Sequence, residues 1–131
     1  MANTFEEKSD NTFESAELLV LNKRKNSSIH CYYYSCYQLL SHFLIVHCRF
    51  TEQDIRNFTR TKTSHNDVIS EVKKKLDSEN IKHIKLFSEL NLMKKERVLA
   101  DYGMAFVLNT EETKKRAVFF REQFKSIIND I

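Results

Sequence analysis

Arg97, Asp101 and Tyr102 are the residues whose types and spacing could do chemistry. They close the stretch Asn91 to Gly103, NLMKKERVLADYG. A carboxylate four residues after a guanidinium meets it across one helical turn, which makes a charged pair at the end of a helix. Leu86, Leu90, Met93, Arg97 and Ala100 recur at spacings of three and four, so the arginine lies in phase with an apolar stripe. An Arg on such a face needs a carboxylate nearby, and Asp101 is the local candidate. Gly103, the single glycine of the chain, is expected to stop the helix, since it takes positive φ without a Cβ penalty.

The elements that must position this pair are helical. The chain has 131 residues, no proline and one glycine, which excludes folds needing many strand turns. Its size predicts one domain over 1–131, with 41% hydrophobic residues for a core and 30% charged residues to cover it. The net charge of +3 permits RNA contact without arguing for it. The polar N-terminus is no signal peptide, and the apolar run Phe43 to Val46 is too short to span a bilayer. Three irregularly placed cysteines read as reduced thiols, which predicts a cytoplasmic protein without membrane attachment.

In chain order, residues 1–11 are expected to fray, with a first helix from Asn11 or Thr12 to the basic run Lys23 to Lys25. Asn26 to Ser28 would then connect to a second helix over 29–49, apolar nearly all round and so the most buried. Its tyrosines, Tyr33 among them, read as core rings with hydroxyls at the rim, or as a stacking platform. Residues 50–64 form a polar connection with a helical turn near Glu52 to Asn57, and Arg56, Arg60 and Lys62 offer surface contacts. A third helix runs from Ser64 or His65 to Leu76, with Lys73 to Lys75 on a solvated face. The fourth spans 81–101. Met104 to Leu108 form an apolar loop, and Asn109 with Glu112 has capping-box spacing before the last helix. The sum is an all-α antiparallel up-and-down bundle of four to five helices.

Four segments resemble the small HEPN-domain proteins. SIHCYYYSCYQLLSHFL resembles their aromatic second helix, KTSHNDVI the approach to their third, ERVLADYG their Arg-x-x-x-Asp-Tyr-Gly signature, and the helix with Ala117 and Phe120 their closing helix. The resemblance covers about residues 12–129. It implies a HEPN-like bundle, often a homodimer, paired with a small nucleotidyltransferase in a toxin–antitoxin-like or stress system. It also implies contact with nucleotide or RNA. Many members are metal-independent ribonucleases using an Arg and a His four to six residues on.

Here Arg97 is followed by Val98, Leu99, Ala100, Asp101, Tyr102 and Gly103, with no His in range. The ribonuclease motif is therefore incomplete, and the expectation is a non-catalytic binding or partner module; the alternative is a ribonuclease toxin. Arg97, Tyr102 and His65 are the candidates for chemistry, and Arg97, Asp101, Tyr102, His65 and Tyr33 for a polar cluster. Arg60 and His65 share a motif-like spacing that falls at the wrong place. His42 and His47, like Cys31 and Cys36, are five apart, about 140° around a helix, which does not suit one ion. Neither a metal site nor a cofactor is expected.

Overall fold

The computed structural model describes residues 4–59, 63–103 and 110–131. Every regular element among them is helical: α1 (Phe5–Leu21), α2 (Lys25–His47), α3 (Glu52–Thr59), α4 (Ser64–Ser78), α5 (Ile84–Tyr102) and α6 (Glu111–Asp130). No helix among the described residues is long and apolar enough to cross a membrane.

The central element is α2. Tyr32, Tyr33, Cys36, Leu39, Leu40, Phe43 and Leu44 are all essentially without exposure. Around it the core gathers Ala16 of α1, Val68 and Val72 of α4, Leu90 and Met93 of α5, and Phe120 and Phe124 of α6. Val46, on a helix whose sequence is apolar nearly all round, is exposed.

Side-chain pairs fix how the helices lie. Glu6 meets His42, Ser9 meets Ser35 and Phe13 meets Tyr32, so α1 and α2 run in opposite senses. Asn26 reaches the Ala100 carbonyl and Arg97 lies over Tyr33, which sets α5 against α2. Phe87 meets Phe120 and Glu96 meets Thr113, which sets α6 against α5. The four long helices therefore alternate in sense. The up-and-down expectation fails at α4. His65 meets Tyr33, while Glu71 and Lys75 act on Cys48, so α4 runs the same way as α2. The connection containing α3 carries the chain back between them. There Ile55 enters the core and Phe58 stacks on Phe50.

Helix ends differ most from expectation. Thr4 caps α1, its Oγ accepting from the Glu7 N–H, so the helix starts at Phe5, well before Asn11. It ends at Leu21, and Asn26 to Ser28 belong to α2. Three helices stop on a left-handed residue that is not glycine: Lys23 (φ 61°), Arg49 (φ 60°) and Asn80 (φ 57°). In each, the next N–H returns to a carbonyl in the last turns of the helix, five residues back for Arg24 to Leu19 and Ile81 to Leu76 and six for Phe50 to Leu44. The endings at Lys23 and Asn80 are Schellman endings, and that at Arg49 is one residue wider. Gly103, by contrast, is extended (φ −77°, ψ 156°). Its lack of a Cβ serves a close approach, because a Cβ there would sit 2.5 Å from the Leu99 carbonyl oxygen. Thr110 stands at the start of α6; the Asn109 cap, the Met104 to Leu108 loop, Arg60 and Lys62 lie outside the described residues.

Candidate functional site

Arg97 projects from α5 onto the aromatic face of α2. Its side chain is 13% exposed. The guanidinium carbon lies 5.4 Å from the Tyr33 ring centre and 5.6 Å from that of Tyr34, within cation–π range. Nη1 donates to Asp101 Oδ2 at 3.4 Å, a long contact. Nε is buried with no hydrogen-bond partner among the described residues.

Asp101 has a second, closer partner. His30 Nδ1 of α2 stands 2.9 Å from the same Oδ2. The His30 ring also packs on Tyr34, centroids 4.5 Å apart. One carboxylate therefore joins an imidazole and a guanidinium. The spacing of the chain gives no sign of this: 71 residues separate His30 from Asp101, and only the antiparallel α2–α5 contact joins them.

His65 enters from the first turn of α4. Nδ1 is 2.8 Å from the Tyr33 hydroxyl and Nε2 is 3.4 Å from that of Tyr34. Its ring lies 4.4 Å from the Tyr37 centroid. Burial first, then the positive charges of Arg97 and Lys94, lower its pKa from 6.5 to about 4, so the imidazole is neutral at ordinary pH. Burial, against the opposing effect of Arg97, raises the Tyr33 phenol well above its usual 10. Tyr37 is pushed up to about 12, again chiefly by burial. The phenols are thus neutral hydrogen-bonding groups, not bases.

Of the sequence candidates, Arg97, Asp101, His65 and Tyr33 are drawn into one cluster with Tyr34, Tyr37 and His30. Tyr102 is not; it is the last residue of α5 and 78% exposed. Cys31 borders the cluster, and burial followed by the Asp101 charge raises its pKa, which keeps the thiol protonated. Among the described residues no three His, Cys, Asp or Glu side chains gather to hold a metal ion.

The arrangement combines a guanidinium with an unfilled donor, one partly exposed ring, that of Tyr34, and a neutral imidazole at one end of the bundle. Such a set can grip a phosphate and a flat ring, and His30 with Asp101 can pass a proton. No family model matches this chain, and neither a curated protein nor a solved structure matches it.

Proposed function

We propose that this chain is a HEPN-like helical module that binds RNA or a nucleotide through the Arg97 cluster and leaves it uncut. The observation that carries this is Arg97 itself. Its guanidinium is positioned by Tyr33 and Tyr34, holds Asp101 only loosely and keeps Nε unpartnered. A phosphate would fill those donors, and the partly buried Tyr34 would offer the edge of a stacking surface beside it. The alternating sense of the four long helices and the position of ERVLADYG at a helix end support the HEPN-like assignment. A homodimer, and pairing with a small nucleotidyltransferase in a toxin–antitoxin-like system, rest on the resemblance of the quoted segments. Anisotropy of a labelled single-stranded oligoribonucleotide tests the binding. Wild type should bind, and Arg97→Ala with unchanged helicity should bind about tenfold more weakly or worse. Equal binding by the two ends the proposal.

A ribonuclease is the second reading, favoured by one observation. His30, not a residue following Arg97, stands in the pair with Asp101 beside the guanidinium. The imidazole would transfer the proton while Arg97 steadies phosphate charge. Cellular RNA incubated with the protein in EDTA should then be cut, and His30→Ala should abolish cutting without weakening RNA binding. Wild type that cuts no faster than a His30→Ala, Arg97→Ala double variant removes this reading.

A further inference from the structure

A separate cleft of about 370 Å³ lies between α4 and α5, behind the Arg97 cluster. Tyr33 and Phe87 form part of its apolar wall, Asn66 and Asn91 supply amides, and Lys73 and Lys94 supply charge. No Asp or Glu lines it. Other cations on and between these helices do meet carboxylates. Lys74 and Lys75, the neighbours of Lys73, are bound to Glu71 and Glu79. Arg116, Arg121, Lys114 and Lys125 all meet carboxylates between helices. Lys73 and Lys94 have no carboxylate partner among the described residues. Lys73 lies over the Phe87 ring at 5.2 Å, and Lys94 donates to the uncharged Asn66 at 3.2 Å. Both residues are partly buried. Lys73 and Lys94 keep a positive potential on the cleft that an anion would relieve, and the Asp77 carboxylate beside it is taken by the lining residue His83 at 2.7 Å. The run Lys73 to Lys75 thus divides: two members are paired on the outer face and one turns to the cleft.

We infer that the α4–α5 cleft binds a small organic anion with a flat apolar body, its phosphate or carboxylate between Lys73 and Lys94 and its ring against Phe87 and Tyr33. The volume falls in the range of small-molecule sites, roughly 300–1,000 Å³. An apolar wall with a few polar groups at the rim is the usual composition of such sites. Tyr33 is the wall shared with the Arg97 cluster, since its hydroxyl bonds His65 on the other side.

The test is a titration of isotope-labelled protein followed by amide NMR. The probes are adenosine monophosphate, benzoate, inorganic phosphate and uncharged adenosine. Saturable shifts at Asn66, Ile69, Phe87 and Asn91 are expected with adenosine monophosphate, benzoate or both, which tells a phosphate from a carboxylate ligand. Adenosine and inorganic phosphate should each bind at least tenfold more weakly. Lys73→Gln and Lys94→Gln should each weaken binding about tenfold, with helicity retained. Absence of saturable shifts at the cleft with all four probes overturns the inference, as does binding indifferent to both lysine substitutions. Shifts confined to His30, Arg97 and Asp101 also overturn it, while leaving the RNA-binding proposal standing.

Discussion

The Tyr33 hydroxyl and His65 Nδ1 lie 2.8 Å apart, joining the fully buried row of α2 to the first turn of α4. The bond ties α4 to the central helix at the point where Arg97 covers the same tyrosine ring. Its strength depends on a neutral imidazole beside a guanidinium. His65 should therefore titrate near 4 in an NMR pH series, against 6.5 in an unfolded chain. Its folded pKa is depressed, so the unfolded chain binds the extra proton first. Stability should be full above pH 6.5 and fall as pH drops from 6.5 towards 4 through this group. His65→Gln should flatten that part of the stability–pH curve. A His65 titration at or above 6.5 would contradict the burial and the adjacent positive charge.

Arg97 should contribute to the fold as well as to binding. Arg97→Ala removes a cation–π contact with two rings and an ion pair, and should cost about 2 kcal/mol by denaturant unfolding. Arg97→Lys keeps the charge but not the planar stack, and should recover only part of the loss. Full recovery by lysine would mean that the rings do not matter.

Lys23 and Arg49 are held in the left-handed region, which costs a residue with a Cβ roughly 1–2 kcal/mol. Lys23→Gly and Arg49→Gly should each raise stability, by about 0.5–1 kcal/mol once the greater freedom of glycine in the unfolded chain is subtracted. Asn80→Gly should gain less, because asparagine tolerates that conformation. Denaturation midpoints measure all three.

Gly103→Ala should act in the opposite direction although the glycine is exposed and its φ is ordinary. The new methyl meets the Leu99 carbonyl at 2.5 Å, and the C-terminal turn of α5 must open to admit it. A loss of about 1–2 kcal/mol is expected by thermal or chemical unfolding. The turn also carries Asp101, so the His30 contact should loosen with it.

The interior of each helix was legible in the sequence because periodicity reports which face is buried. Leu86, Leu90, Met93 and Ala100 are buried as their spacing predicts, and Arg97 is in phase with them. On α6 the periodic apolar residues Ala117, Phe120, Phe124, Ile127 and Ile128 point inward by the same reasoning, and all are buried but Ile127, which is partly buried against the core. The ends were not legible, since glycine is the usual marker of a left-handed stop and Lys23, Arg49 and Asn80 take its place. The sense of α4 was hidden too, because a polar connection does not reveal how far it travels. Within the site, Arg97–Asp101 could be read from a one-turn spacing. Its link to His30, and that of His65 to Tyr33, depends on which helices lie side by side, and no local pattern encodes that.

The most direct measurement follows the Nε–H resonance of Arg97 in labelled protein as single-stranded RNA is added. Filling of the unpartnered donor by phosphate predicts a saturable shift and slowed solvent exchange at that one resonance, lost in Arg97→Lys. RNA that binds without moving it, or fails to bind at all, would contradict the account.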